Sequence, residues 1–313
     1  MGTDALEPVL GQDWLEDIRR NFLALEGYAQ PVKSYFVDNV AGDADFGGET
    51  WEDAFAEPSD AITAWEAKRL LLNDPTYRAR IYMRGTEDPY AAITALPSYC
   101  DIVGVGADPR GNGAGIPRIG LDTGTGGGLT GTASARGLNI YNIQFQAGNA
   151  NYAFQAANLF RSKIVNCTFG TNGSPVSTPA AAFDLGKASG LVIDNCMWIN
   201  MSGKLAAPLV GINITSTHFH QSEIKNCYIG GINFGIVIAA GCVNAWGSKI
   251  HDNIIGPLGQ TLAVGVDDNA TEGHIIYADN DIAATVGGQL AHNHTLRWIR
   301  NWTGVTADTA SNE

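Results

Sequence analysis

Apolar and polar positions from about Gly137 to Gly304 repeat one phrase: apolar, any, Asn or Asp, small, any, apolar. Its clear copies are Ile164–Phe169, Ile193–Trp198, Ile224–Ile229 and Ile250–Ile255, preceded by Ile140–Phe145. Tyr277–Ile282 and Trp298–Thr303 are weaker late copies. The third position falls at 142, 166, 195, 226, 252, 279 and 300, in steps of 24, 29, 31, 26, 27 and 21 residues. A fixed phrase at a loose period in the twenties predicts a solenoid. Helical repeats need longer units with apolar spacing of three to four, and leucine-rich repeats need a Leu lattice that is missing. The remaining architecture is an all-β parallel β-helix of about 7–10 coils, three short strands to a coil, with insertions confined to the turns.

Reading down the copies assigns each column a task. The first (Ile140, Ile164, Ile193, Ile224, Ile250, Tyr277, Trp298) and sixth (Phe145, Phe169, Trp198, Ile229, Ile255, Ile282, Thr303) are apolar in nearly every copy and are expected to point inward. The fourth reads Ile143, Cys167, Cys196, Cys227, Asn253, Asn280, Asn301. Its small residues suit a tight bend, and the late Asn run is expected to form a ladder of stacked amides. Asn in column three tolerates the left-handed backbone such a bend needs.

Upstream the pattern changes. Residues 11–26 predict an amphipathic helix whose stripe is Leu15, Ile18, Phe22 and Leu25, with Trp14 beside it. Gly27 and Pro31 end it. It either packs on its own β-helix or, the preferred reading, serves residues 1–31 as a docking and oligomerisation arm. Residues 32–77 read as a strand (Val32 to Val40), an acidic Gly-rich turn, and a helix over Asp60 to Asn73 with Ser59 as N-cap. Ile62, Trp65 and Leu72 share a face of that helix, which is the candidate cap for the open end of the solenoid. Residues 78–304 form the β-helix, starting with strands at 79–83, 100–105 and 117–121, and 305–313 form a polar tail that leaves the far end for a neighbouring subunit to cover.

Composition excludes several functions. Of 313 residues 45% are hydrophobic and 16% charged, with 38 glycines, which fits an all-β fold and not disorder. The net charge of −13, without a basic cluster, argues against nucleic acid or anionic membrane as partner. No apolar run is long enough to span a membrane and no signal-peptide core opens the chain, so a soluble protein made in a host cytoplasm is expected. The five cysteines include three in one column, Cys167, Cys196 and Cys227, so their spacing follows from the repeat and buried free thiols are expected. Gly126-x-Gly128-x-x-Gly131 matches a dinucleotide fingerprint formally, but a strand follows it instead of a helix, and no cofactor is expected.

Candidate chemistry is thin. Asp252 and Asp279 share a column one coil apart, hence about 5 Å, near the separation of a retaining glycosidase pair, and like charges that close would raise one pKa. Against this, the column otherwise holds turn-forming Asn. His218/His220 and His292/His294 are i, i+2 pairs able to face one way on a strand, but no third ligand accompanies them and no metal is expected. Tyr141, Tyr228, Trp298 and Trp302 offer either a glycan platform or core and seam packing.

The Ile-x-Asn-Cys/Asn-x-Ile/Phe phrase resembles repeats of the right-handed parallel β-helix, pectate-lyase-like superfamily, over about residues 32–304. The opening, Asp13 to Phe22 followed by Tyr35 to Val40 and a Gly/Asp turn, is similar to tailed-bacteriophage β-helix proteins, in which a short N-terminal piece attaches a trimeric β-helix to the virion. Of the phrases that polygalacturonase-like enzymes of the superfamily use, only Asp267-Asp268 is present; His274 is followed by Ile275, and the Asn-Thr-Asp and Arg-Ile-Lys phrases are absent. A pectate-lyase cluster of calcium carboxylates and a basic Arg is missing as well. The resemblance therefore implies a non-enzymatic virion protein, of tail-spike or capsid-decoration type, forming a homotrimer with other virion proteins as partners and a host surface glycan as a possible ligand. The rival expectation is a polysaccharide depolymerase working through Asp252 and Asp279.

Overall fold

The computed structural model describes residues 33–73, 77–110, 115–120, 128–147, 152–171, 181–200, 210–215, 217–231, 233–257, 262–271, 274–290 and 298–303. They form a parallel β-solenoid of three sheets and one helix. The arm helix at 11–26, with Trp14, Leu15, Ile18, Phe22 and Leu25, lies outside the described residues, as do the tail and the pair His292/His294.

The first sheet has ten strands, beginning with Lys33–Val37, Ala79–Arg84 and Cys100–Val105 and ending at Trp298–Ile299. The second has eight, from Arg118–Ile119 to Trp302–Thr303, and the third eight, including Tyr152–Phe160, Ala181–Ser189 and Val210–Ile214. Pairing in the first sheet runs Ile102, Ile140, Ile164, Ile193, Ile224, Ile250, Tyr277, Trp298 without a slip. A one-residue shift would turn this buried row to solvent, so burial fixes the register. Column one is at most 1% exposed throughout. Column six is equally buried from Phe145 to Ile282, and column four from Ile143 to Asn301 also points inward.

Two left-handed corners turn the chain. One is column three: Asn142, Asn166, Asn195, Asn226, Asp252, Asp279 and Arg300 all have φ between 49° and 58°. The other joins the third sheet back to the first, at Tyr99, Gly137, Arg161, Gly190, Gln221 and Gly247. Most of the variation in the period, apart from a smaller share in the turn from the third sheet back to the first, arises between the second and third sheets. The step from Asn142 to Asn166 has four residues there (148–151) and the next has nine (172–180), which accounts for their difference of five. That passage is narrow: a Cβ on Gly235 would lie 2.3 Å from Ile255 and one on Gly211 2.7 Å from the Gly230 carbonyl. Only small residues fit.

The helix α1 spans Pro58–Leu72 and buries Ala61, Ile62 and Trp65 against the first two strands of the first sheet, with Trp65 stacked on Tyr77 at 5.3 Å. Two expectations need correction. The N-cap is Glu57, not Ser59, and it makes no side-chain cap bond; Pro58, with its fixed φ, starts the helix instead. The Glu57 carboxylate accepts from Ala91 N. Leu72 does not share the buried face, because the first half of the helix makes the sheet contacts and Leu70, Leu71 and Leu72 are exposed. No described helix is long and apolar enough to cross a membrane.

Candidate functional site

A strand buries alternate side chains and presents the others. The outward side chains after the Asn corner therefore form their own column, Met197, Tyr228, Ile254, Asp281, Trp302, in register on the second sheet. Ile254 is 50% and Trp302 69% exposed, so this column is surface. Earlier members of the same column, Gln144 and Thr168, are fully buried. A loop carrying Asp108, Pro109 and Arg110 covers that end, and Pro109 O accepts from Gln144 Nε2 at 2.8 Å.

Where the cover stops, a groove of about 190 Å³ opens. Arg110 forms its end wall, Met197, Tyr228 and Ile254 its floor, and Asn195, Asn226 and Asp252 its lip. The lip is held by a ladder along the column-three corner. Asn166 Nδ2 donates to Asn142 Oδ1 (2.9 Å), Asn195 Nδ2 to Asn166 Oδ1 (3.2 Å), and Asn226 Nδ2 to Asp194 Oδ1 (2.8 Å). Below it, the fourth column (Cys167, Cys196, Cys227, Asn253, Asn280, Asn301) is structural, its thiols reduced and buried.

The charged groups beside the lip neutralise one another. His251 donates or accepts at both nitrogens, to Asp252 through Nδ1 (2.6 Å) and to Glu223 through Nε2 (2.9 Å). Burial pulls this imidazole down, but the two carboxylates outweigh it and its pKa is raised. Glu223 is lowered, mainly by its bond to Lys225. Arg300 grips Asp279 through both carboxylate oxygens at 2.7 and 2.6 Å and holds its pKa below the usual carboxylate range.

These pairings bear on the expected acid pair. Asp252 and Asp279 do occupy adjacent rows, and each is already paired, Asp252 with the His251 imidazole and Asp279 with the Arg300 guanidinium. A general acid needs a raised pKa; Asp279 has the opposite shift, because Arg300 follows it in the same column. The aromatic platform also comes apart. Trp298 is core, 5.6 Å from Tyr277, whereas Trp302 is exposed. His218 and His220 face the same side of one short stretch, with His218 Nδ1 2.5 Å from Thr217 Oγ1. Among the described residues no three metal-ligating side chains come together.

A second polar row escaped the sequence reading. On the third sheet Gln155, Asp184 and Asn213 stand side by side, and Asp184 takes Gln155 Nε2 (3.1 Å) on one oxygen and Asn213 Nδ2 (2.9 Å) on the other. Asp184 is 7% exposed, and burial raises its pKa against the pull of the two amides. A signal for it exists: a small-apolar-polar phrase recurs at Ala153-Phe154-Gln155, Ala182-Phe183-Asp184, Gly211-Ile212-Asn213 and Gly265-Val266-Asp267.

No family model and no curated protein matches this chain. Two solved structures of the pectin methylesterase from Aspergillus niger, one deglycosylated and one penultimately deglycosylated, are similar to it. Their TM-scores are 0.43 and 0.44, each at 15% identity and covering 90% of this chain and 87% of that one. At that distance nothing about this chain's chemistry follows from theirs.

Proposed function

We propose that this chain binds a glycan along the second-sheet groove without cleaving it, as a surface component of a tailed-phage virion. The observation that carries the binding reading is the repeated row. Three successive coils each present an apolar floor residue and a hydrogen-bonding lip residue at the strand spacing, about 4.8 Å, as Met197 with Asn195, Tyr228 with Asn226, and Ile254 with Asp252. A linear glycan likewise renews an apolar ring face and a hydroxyl edge with every sugar, so rows and rings correspond. Apolar contact with a few placed polar groups is the usual composition of a ligand site. The non-cleaving reading is supported by the paired states of Asp252 and Asp279. Virion display, the homotrimer and the docking role of residues 11–26 rest on the resemblance of the opening.

A depolymerase has one observation in its favour, the raised pKa of Asp184. Its nearest carboxylate in that row is Asp267, three rows on through Asn213 and Val237. That is about 14 Å at the strand spacing, beyond the range in which two carboxylates share one glycosidic bond. The test is to incubate the full chain with host surface polysaccharide and assay bound polymer together with new reducing or unsaturated ends. Binding without new ends is expected, unchanged in turnover by Asp252→Asn or Asp279→Asn. New ends that disappear in Asp184→Asn, Asp252→Asn or Asp279→Asn would replace this reading with the enzymatic one. Light scattering on the full chain and on a chain lacking residues 1–30 tests the trimer.

A further inference from the structure

We infer that the groove takes a neutral polysaccharide and rejects polyanions such as uronates and sulfated glycans, an inference that rests on the glycan-binding reading above. Recognition of a polyanion requires cations whose charge is not already neutralised by a neighbouring carboxylate, since charge-assisted and bidentate pairs supply both affinity and orientation. Among the described residues, every cation bordering the groove is already held. Asp108 chelates Arg110, with Nη2 to Oδ2 at 2.6 Å and Nε to Oδ1 at 3.0 Å. Glu223 holds Lys225 at 2.8 Å, and Asp279 holds Arg300. A polyanion would have to displace a carboxylate at each of these positions and leave it unpaired beside its own charges.

The outward column adds a repulsive element. Asp281 stands exposed between Ile254 and Trp302, and Asp252 and Asp194 edge the lip, on a chain whose net charge is −13. Specificity built this way comes from what it rejects as much as from what it favours. What the groove offers in attraction is uncharged or accepting, the Asn195 and Asn226 amides and carboxylate oxygens for sugar hydroxyls, and two rows beyond its floor, past Asp281, the same column adds the exposed Trp302 face for the C–H side of a ring. Amide and carboxylate acceptors with a stacking ring fit a hexose polymer, and the rim charges contribute field without a cationic anchor.

The experiment titrates the full chain by calorimetry with neutral polymers (a β-glucan, a mannan, a galactan) and with polygalacturonate, alginate and a sulfated galactan, at low and high salt. A neutral polymer is expected to bind, with affinity changing by no more than about twofold with salt and the polyanions at least about tenfold weaker. Trp302→Ala is expected to weaken neutral binding by up to about tenfold, the worth of one stacked ring. Asp108→Ala, which releases Arg110, is expected to raise polyanion affinity several-fold. A polyanion that binds more tightly than any neutral polymer, with affinity falling steeply in salt, overturns the inference and leaves the glycan reading standing. An Asp108→Ala chain with no gain for polyanions overturns the charge argument. Binding of neither class overturns the glycan reading itself.

Discussion

The fourth column does one job with two chemistries. In the first half, Cys167, Cys196 and Cys227 bring Sγ to 3.8, 3.5 and 3.9 Å from the column-one carbonyls of the preceding row, Ile140, Ile164 and Ile193, and still closer, at 3.4, 3.4 and 2.9 Å, to the carbonyls two residues back, Val165, Asp194 and Lys225. In the second half, Asn253, Asn280 and Asn301 donate Nδ2 to the equivalent carbonyls of Ile224, Ile250 and Tyr277 at 3.0–3.1 Å. The amides also join one another, Asn253 Nδ2 to Asn280 Oδ1 (2.9 Å) and Asn280 Nδ2 to Asn301 Oδ1 (2.7 Å), and each Oδ1 takes the backbone N–H of the row before. A thiol is a weak donor and an amide a strong one. The thiol half compensates by packing: Phe145, Phe169 and Trp198 follow one another in column six, and Phe154 stacks on Phe183 at 4.6 Å, whereas from Ile229 in the Cys227 row onward column six is aliphatic, with Ile255 and Ile282 in the amide half. In column six the first half adds stacked aromatic surface, and in column four the second half adds strong hydrogen bonds.

Breaking each half at its own strength gives the largest effects. Asn280→Ala orphans the Ile250 carbonyl, the Asn253 N–H and part of the Asn253 amide, all buried, and is expected to cost about 3–5 kcal/mol. Cys196→Ala loses a weak bond and a small volume, about 1 kcal/mol. Phe169→Ala, which empties the middle of the aromatic stack, is expected to match Asn280→Ala at about 3–5 kcal/mol. Urea unfolding of the three variants orders them; a Cys196→Ala cost equal to Asn280→Ala would dissolve the distinction.

Chemical interchange is a smaller and sharper probe. At position 227 every partner of an amide already exists: the Ile193 carbonyl, the Cys196 N–H now 3.5 Å from Cys227 Sγ, and Asn253 Oδ1. Cys227→Asn should extend the ladder by a row and stay within about 1 kcal/mol of the parent. The reverse change, Asn253→Cys, should cost about 1–2 kcal/mol, since it interrupts the chain to Asn280. If both changes cost the same in unfolding experiments, the boundary between the halves is set by packing alone.

How much of this was legible follows from what each feature depends on. Columns one, three, four and six repeat within six residues, so a single copy shows them, and the backbone of Asn142 or Asn166 follows from residue type. The second left-handed corner was invisible because Tyr99, Arg161 and Gln221 share no chemistry with Gly137, Gly190 and Gly247; the stacked sheets impose φ there against preference. Asp184 escapes a reading of the sequence because its phrase is only three residues long and its first position, kept small where Ile229 and Ile255 crowd Gly211 and Gly235, carries no chemistry of its own. Arg300 follows Asp279 in the same column, so a cation within reach of Asp279 is legible in the sequence, whereas the contact of Asp252 with His251 depends on side-chain placement.

Outside the column the halves exchange character. The thiol half carries neutral amides on its surface, Asn142, Asn166 and Asn195, and the amide half carries His251, Asp252, Asp279 and Arg300. Near and above neutral pH the response should therefore centre on the rows around His251. The folded pKa of His251 is raised, so its contribution is complete below the unfolded value of about 6.5 and is lost as pH rises through the folded value. Asp279 and Glu223 are lowered, so their contributions are present above about 4 and are lost on acidification. All these groups lie at the surface, which limits the His251 effect to below about 1 kcal/mol. Hydrogen exchange across the alkaline arm should show rows 252–282 opening more while rows 142–198 stay level, and His251→Ala should flatten the difference. Equal responses in both halves would remove the link between surface charge and local stability.

The smallest test concerns the second corner, which both halves share. Gln221 sits at φ 47° and Gly190 and Gly247, one row to either side, at 66° and 72°. A left-handed non-glycine residue costs roughly 1 kcal/mol, while glycine adds unfolded-chain entropy that takes back about half of that. Gln221→Gly is therefore expected to stabilise by only about 0.5 kcal/mol, and Gly190→Ala to destabilise by about 1 kcal/mol. At the Asn corner the same substitution has the opposite sign, because Asn226→Gly also removes the 2.8 Å bond to Asp194. A gain at 221 together with a loss at 226 would show that the first corner is specified by its side chains and the second only by the stacking of the coils around it.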